Sequence, residues 1–261
     1  IRSVKSDFEL GLIKESARIL EAGFSSVPDF LKEGMREVDL ISRLEMVMRS
    51  MGHQGSLRFR RFNSIVPLGH VMSGPAAACP SFLASPTGGK GTSLIFPQGA
   101  GFSRIKRNEP VFVDMVGIYN GYIADATRIF SLGKIEPELE EAYQAACQIE
   151  EDLARQLSAG KTGRELYQLS ETAGADLGYK DYLGGPPGGK CGFVGHGVGL
   201  ELDEYPVIGP LDHELQSNMT IAIEPKIIYP DKGVLGIEDT FLTSSGAAES
   251  LTHMPREIWQ V

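Results

Sequence analysis

The sequence contains little cysteine and no long apolar run, and each shortage excludes a class of protein. Its three cysteines, Cys79, Cys147 and Cys191, lack the paired spacing that binds zinc or forms a disulfide framework. We expect reduced, structural thiols in a cytoplasmic protein, with only Cys191 close to a motif of interest. No apolar stretch approaches the roughly 20 residues that cross a bilayer, and nothing at the N-terminus resembles a signal peptide. A membrane protein is therefore not expected.

Basic residues are also in deficit. The 261 residues include 25 lysines and arginines against 34 aspartates and glutamates, a formal net charge of −9. Because nucleic-acid binding requires a basic surface, nucleic acid is not an expected partner. The apolar fraction of 42% and the charged fraction of 23% are those of an ordinary soluble domain, so the function must be sought in motifs.

Helices are predicted near the start and in the middle of the chain. Ser6 and Glu9 form a capping box before apolar residues at helical spacing. Further helices are predicted over 38–51, 136–157 and 163–177. The chain thus begins abruptly, next to a helix start, and we expect a fragment from which an upstream domain has been removed.

Strands are predicted in clusters rather than in alternation with the helices. The run VFVDMVGIYNGYIADATRIF predicts a hairpin with Asn120-Gly121 as its turn, and MTIAIEPKIIY and VLGIEDTFLT predict two later strands. Residues 63–103, rich in Gly, Pro, Ser and Ala, predict a long loop with a function, the alternative being a floppy insertion. The order predicts an α+β fold with antiparallel sheet and two similar halves.

Two acids of the hairpin are predicted to share one face. With a two-residue turn, Val116 pairs with Asp125, and Asp114 lies on the same face as Val116. Two carboxylates embedded in apolar strands are costly unless a cation lies between them, which a metal pair would supply. The alternative is a pair of solvent-facing acids on an amphipathic hairpin.

Three more side chains complete a set of possible metal ligands. His196 lies among three glycines in GHGVG, Glu224 ends an apolar strand, and Glu238 lies in the last strand, with its neighbour Asp239 pointing to the opposite face. A lone histidine is more often a core residue, but the glycines favour a functional one. Four acids and one histidine suit manganese, iron, cobalt or zinc, and paired ions of this kind activate water for hydrolysis.

These residues resemble one known family in order and in spacing. Asp114 and Asp125 are eleven residues apart, and Thr127-Arg128, Gly195-His196-Gly197, Glu224-Pro225 and Glu238-Asp239-Thr240 follow in turn. Together they resemble the pita-bread metallopeptidases, which include methionine aminopeptidase, aminopeptidase P and prolidase. The opening residues resemble the start of the catalytic domain in the aminopeptidase P and prolidase branch, where a separate domain precedes it.

The resemblance implies the fold and the chemistry. It implies one pita-bread domain over 1–261, in which helices cover antiparallel sheet, and a homodimer. It implies two divalent ions, most often manganese, held by Asp114, Asp125, His196, Glu224 and Glu238, and it leaves open which ligands bridge the two ions. Glu224 matches the position of the general base for the attacking water.

The chain departs from the family pattern at three positions. Asp203 stands where the family has a substrate-contacting histidine, and Gln98 stands where it has a second one. Gly236 replaces an arginine of the aminopeptidase P branch. Gln98 could still donate a hydrogen bond, whereas an ionised Asp203 can only accept one and suits a cationic substrate group. His70, in the long loop, is a candidate substitute for a lost histidine.

Three functions are compatible with these residues. The leading hypothesis is an Xaa-Pro peptidase with altered specificity. The second is a creatinase-like hydrolase or a metal-dependent lyase acting on a small metabolite, which the two lost histidines favour. The third is an inactive binding module, against which the complete ligand set argues.

Overall fold

The computed structural model describes residues 1–59, 66–185 and 189–261. Within these ranges the helices predicted over 38–51, 136–157 and 163–177 begin and end within one residue of the prediction, and the helix predicted after Ser6 is present, whereas the short helix Val27–Phe30 was not predicted. Each is named here by its bounds: Asp7–Ser25 (α1), Val27–Phe30 (α2), Glu37–Ser50 (α3), Pro137–Gln156 (α4) and Gly163–Asp176 (α5).

Capping boxes fix the starts of two helices. The Ser6 hydroxyl accepts a hydrogen bond from the Glu9 amide, and the Glu9 carboxylate accepts one from the Ser6 amide at 2.8 Å. Thr162 and Glu165 form the same arrangement at the start of α5. Such caps satisfy amides that would otherwise lack a partner in the first turn, so the predicted capping box at Ser6 is confirmed.

The strands form two main sheets and a separate hairpin. The strands are Gly69–Ser73 (β1), Val111–Tyr119 (β2), Tyr122–Ser131 (β3), Gly195–Gly197 (β4), Glu204–Ile208 (β5), Thr220–Ile223 (β6), Lys226–Tyr229 (β7), Gly233–Gly236 (β8), Asp239–Leu242 (β9), Glu249–Ser250 (β10) and Trp259–Gln260 (β11). The first sheet has the order β1-β2-β3-β11, the second has the order β10-β9-β6-β4-β5, and β7 pairs with β8. Most pairs are antiparallel, and the predicted α+β class is confirmed.

The central hairpin has the predicted register. Tyr119 pairs with Tyr122, and Val116 pairs with Asp125. Asn120 and Gly121 have φ values of 47° and 88°, the left-handed conformation that a tight two-residue turn requires.

The prediction of one continuous loop over 63–103 is wrong at residues 69–73. These residues form β1, which lies antiparallel to β2 with His70 opposite Asp114. The strand is short and bounded by Gly and Pro, so its apolar pattern is too brief to be recognised, and pairing with β2 decides its conformation. Residues 63–65 of the predicted loop lie outside the described residues.

Each of the two predicted C-terminal strands is in fact interrupted. The first breaks between Ile223 and Lys226, where Pro225 has no amide to donate, and the second breaks between Gly236 and Asp239. Glu224 and Glu238 occupy these breaks, so both carboxylates lie where the chain leaves regular pairing.

Helices cover the two sheets separately. Helix α1 packs on β2 and β3, whereas α4 packs on β6, β7 and β8. Backbone hydrogen bonds between Thr127 and Glu238, in both directions, join β3 to the break before β9. The two sheets therefore meet beside Glu238. In the described part of the chain, none of the helices combines the length and apolar character needed to cross a bilayer.

Candidate metal centre and substrate cavity

All five predicted ligands line one cavity of about 290 Å³. The cavity lies where the two sheets meet. Its polar wall is formed by Asp114, Asp125, His196, Glu224 and Glu238, and by three further predicted residues, His70, Gln98 and Asp203. The structure thus brings together every residue that the sequence singled out for metal binding or catalysis.

Threonine hydroxyls hold two of the acidic residues in place, Asp125 through its backbone and Glu238 through its carboxylate. The Thr240 hydroxyl accepts a hydrogen bond from the Asp125 amide at 2.9 Å and donates one to the Asp125 carbonyl at 2.9 Å. The Thr127 hydroxyl donates to Glu238 Oε2 at 2.9 Å. Contacts of this kind fix the orientation of ligands before an ion binds.

His196 is placed by close packing of three strands. Strand β4 lies between β5 and β6, and a side chain at Gly195 or Gly197 would come within 2.5 Å of a neighbouring carbonyl oxygen. The flanking glycines are therefore required for the approach of the backbones. The His196 ring stays buried and reaches the cavity, with Nε2 at 3.5 Å from Glu224 Oε1 and 3.9 Å from Glu238 Oε1.

Glu238 and Asp239 point in opposite directions, as predicted. Glu238 faces the cavity, whereas Asp239 accepts hydrogen bonds from Arg128 Nη2 at 2.8 and 3.0 Å. Arg128 Nη1 also donates to the Glu238 carbonyl at 2.9 Å. The buried arginine thus supports the backbone that carries Glu238.

A buried lysine lies in the middle of the predicted ligands. The Lys226 ammonium is 2.7 Å from Glu224 Oε2, 3.0 Å from Glu238 Oε2 and 3.0 Å from Asp114 Oδ2. Its side chain is only 2% exposed. The three carboxylates raise its pKa well above the usual value, against the opposing effect of burial. Lys226 is the principal site residue that sequence reasoning missed.

The remaining donors fit a divalent cation. Ligand atoms of Asp125, His196 and Glu238 lie within 4.8 Å of one another. Asp125 Oδ1 and Glu238 Oε1 are buried and have no hydrogen-bond partner among the described residues. Burial, followed by neighbouring carboxylates, raises the pKa of both groups well above their usual values. Uncompensated buried oxygens beside an imidazole form a donor set that suits a first-row transition-metal ion such as manganese, iron, cobalt or zinc.

Gln98 and His70 belong to one hydrogen-bonded network beside the carboxylates. Gln98 Nε2 donates to His70 Nε2 at 3.1 Å and to the Thr87 carbonyl at 3.0 Å, while Ser81 donates to Gln98 Oε1 at 3.0 Å. His70 Nδ1 lies 3.1 Å from the Thr87 hydroxyl. Burial lowers the pKa of His70. Because its Nε2 accepts from Gln98, this histidine is neutral and oriented.

Apolar side chains close the rest of the cavity. They come from the 66–103 segment, from the β4–β5 region and from Phe59, and include Leu83, Pro86, Phe193, Leu202 and Val207. Asp203 lies on the same wall, next to Leu202. Cys191 is a half-buried free cysteine, and burial raises its pKa to about 12, which disfavours the reactive thiolate.

The sequence profile of metallopeptidase family M24 matches residues 11–245, which is most of the chain. The chain belongs to this family. It is 28% identical over 259 residues to an Xaa-Pro dipeptidase of Pyrococcus furiosus, covering 99% of this chain and 65% of that protein. It is also 28% identical to an uncharacterized peptidase of Bacillus subtilis, covering 99% of this chain and 64% of that one. The chain thus spans slightly under two thirds of these relatives.

A solved M24 structure has the same fold. The X-Pro aminopeptidase from Thermotoga maritima superposes with a TM-score of 0.84 at 27% identity, over 100% of this chain and 64% of that one. The predicted pita-bread fold is confirmed. The sequence contains one indication that Lys226 belongs to the site. In EPKIIY it follows Glu224 by two residues, and residues two apart lie on the same face of an extended chain.

Proposed function

We propose that this M24 domain is a metal-dependent peptidase that cleaves dipeptide-sized Xaa-Pro substrates. The observation that carries the proposal is the cluster of Asp125, His196 and Glu238 on the cavity wall, where two buried carboxylate oxygens have no hydrogen-bond partner among the described residues. The relatives named Xaa-Pro dipeptidase and X-Pro aminopeptidase support the choice of bond.

The dimensions of the cavity support a short substrate. At about 290 Å³ it lies at the lower limit of the usual range for ligand sites, and the 66–103 segment covers one side. Its walls are mostly apolar, which suits a proline ring. A long peptide would need an open cleft instead.

Each polar group of the site has a distinct proposed role. A divalent ion held by Asp125, His196 and Glu238 would supply a Lewis acid for the peptide carbonyl. Glu224 has one oxygen bound by Lys226 and the other directed toward His196, so it is the proposed general base for water. Asp203 would bind the free amino group, and Gln98, held by Ser81 and Thr87, would orient the substrate.

One observation favours a second candidate function. Both ring nitrogens of His70 have hydrogen-bond partners, and the resemblance implies that Gln98 and Asp203 replace two histidines of the family. Donors that would stabilise a developing oxyanion are therefore weaker. Hydrolysis or elimination on a small cationic metabolite is the alternative that this supports. An inactive binding module stays the least favoured prediction.

Several sequence-based expectations stay predictions. These are the second metal ion, manganese as the physiological metal, the homodimer, the cytoplasmic location and an upstream domain.

The test is hydrolysis of a panel of Xaa-Pro dipeptides, longer Xaa-Pro peptides and N-acetylated dipeptides by the Mn²⁺-loaded protein. Glu224→Gln is the matched control, because it keeps the shape of the side chain and removes the base. We expect cleavage of dipeptides with a free amino group, at least a 100-fold loss in the control, and little cleavage of longer or acetylated peptides. If the protein is shown to hold metal and cleaves none of these peptides, the small-metabolite alternative would be favoured instead.

A further inference from the structure

Lys226 uses its whole hydrogen-bonding capacity on carboxylates of the site. An ammonium has three hydrogens, and Nζ lies within 3.0 Å of one oxygen each from Asp114, Glu224 and Glu238. These acids come from three different segments of the chain. With all three donors engaged, the group is arranged as a fixed positive charge rather than as a nucleophile or a substrate contact.

The carboxylates surround two positions, one occupied by the Lys226 ammonium and one beside His196. Asp114 contacts Lys226, whereas Asp125 belongs to the group with His196. Glu224 and Glu238 each give Oε2 to Lys226 and place Oε1 at 3.5 and 3.9 Å from His196 Nε2. The two glutamates therefore bridge two cation positions, and Lys226 fills one of them.

The path of the lysine side chain is built into the fold. Lys226 pairs with Gly236 across β7 and β8, and a side-chain carbon at Gly236 would lie 2.6 Å from Lys226 Cγ. The ammonium also lies 5.4 Å from the centroid of the Phe112 ring, a favourable position for a cation. Glycine at 236, where the sequence departs from its branch of the family, is what admits the lysine.

Space beside the ammonium, rather than net charge, favours one metal ion. With four carboxylates and the ammonium, the net charge is −1 with one divalent ion and +1 with two, so net charge alone does not decide. A second divalent ion would need the oxygens of Asp114, Glu224 and Glu238 that the ammonium already contacts, and it would lie against a buried positive charge, which is unfavourable.

We propose that the Lys226 ammonium takes the place of one of the two cations expected in this site, so that the chain binds a single divalent ion at Asp125, His196 and Glu238. This inference rests on the proposed metal-dependent function and specifies its metal content. It also alters the role expected for Asp114, which becomes a partner of the lysine rather than a metal ligand.

The test is the number of ions bound per chain. Purified protein is stripped with chelator, equilibrated with excess Mn²⁺ and dialysed, and manganese is counted by elemental analysis and by native mass spectrometry. We expect one ion in the wild-type chain and two in Lys226→Met, which keeps the length of the side chain and removes its charge. Lys232→Met is the matched control, because Lys232 binds Glu136 and Glu138 away from the cavity, and it should retain one ion.

Stability gives an independent readout. Without metal, Lys226→Met should unfold at a lower temperature than the wild type, and Mn²⁺ should raise its Tm more than that of the wild type. If Lys226→Met does not fold without metal, it is refolded in Mn²⁺, and the wild-type stoichiometry still decides the question. Two ions in the wild type, or one in Lys226→Met, would overturn the inference. Because no substrate is used, a chain that binds one ion but cleaves no peptide refutes only the proposed function.

Discussion

Two clusters of charged side chains lie back to back on the segment that carries Glu238 and Asp239. On one side Arg128 donates hydrogen bonds to both oxygens of Asp239. Thr252 and Arg256 contact the same carboxylate. On the other side Lys226 binds three carboxylates, yet Asp125 Oδ1 and Glu238 Oε1 have no partner in the described part of the chain. Asp239, at the centre of the first cluster, thus has partners on both oxygens, whereas two ligand oxygens of the second cluster have none.

This difference separates a structural ion pair from a binding site. Buried charged groups that only support the fold are as a rule paired, as Arg128 and Asp239 are, because each unpaired one costs free energy. The Lys226 cluster leaves two oxygens unpaired where they face a cavity. The predictions below test whether the two clusters differ in this way, beginning with the largest expected effect.

Removing the arginine should be costly, and metal should not compensate. Arg128→Met leaves Asp239 without its main partner and removes donors to the carbonyls of Pro255 and Glu238, so we expect a loss of about 3–5 kcal/mol in the free energy of unfolding. Urea denaturation with and without Mn²⁺ measures it. The control Arg155→Met breaks an exposed pair and should change stability little. The deficit of Arg128→Met relative to the wild type should be the same with and without Mn²⁺, and a smaller deficit in Mn²⁺ would mean that the clusters do not differ.

Removing the histidine should affect metal binding more than folding. His196→Ala deletes the one nitrogen among the predicted ligands. We expect Mn²⁺ affinity to fall at least about 10–100-fold, because mutation of a residue that only hydrogen-bonds to a metal ligand can already lower affinity by that factor. Competition with a chelator measures the affinity. His253→Ala, at an exposed position, is the control and should bind Mn²⁺ as the wild type does. Unchanged affinity in His196→Ala would place the ion elsewhere.

The acid on the cavity wall should determine recognition of the amino group. Asp203→Asn removes a negative charge while keeping the shape, so KM for a free-amine dipeptide should rise roughly 10-fold with a small change in kcat. Steady-state kinetics with free and N-acetylated substrates measures the difference. An equal effect on both substrates would exclude Asp203 as the amine anchor.

Glu150, which contacts Arg256 beside the Arg128–Asp239 pair, should make the free energy of unfolding depend on pH. Glu150 is buried 2.6 Å from Arg256, and burial raises its pKa from 4.5 to about 8. Between these values the folded chain holds a proton that the unfolded chain has lost, so this contribution to stability is complete below pH 4.5 and is lost as pH rises through about 8. The slope is at most about 1.4 kcal/mol per pH unit. Urea denaturation from pH 5 to 8.5 should show a flatter profile for Glu150→Gln; identical profiles would contradict this.

Much of the site could be predicted from the sequence because its elements are local. The Asn120-Gly121 turn fixes the hairpin register and thereby the shared face of Asp114 and Asp125. The capping box fixes the start of α1 in the same way. Strand β1 could not be predicted, since only its pairing with β2 makes it a strand.

The position of Lys226 required the three-dimensional structure. In sequence it opens a short apolar strand, where a lysine usually reaches solvent. It is buried because the chain breaks at Pro225, the glycine opposite leaves room, and the two sheets close over it. These causes come from three separate segments, so the two-residue spacing from Glu224 places the side chains on one face but does not predict that Lys226 is buried.

The most direct test of the account is a crystal structure of the Mn²⁺-loaded chain with anomalous diffraction data. The account predicts one manganese peak, bonded to Asp125, His196 and Glu238, with the Lys226 ammonium still in contact with Asp114 and Glu224. Two peaks, with the lysine side chain displaced from the carboxylates, would contradict it.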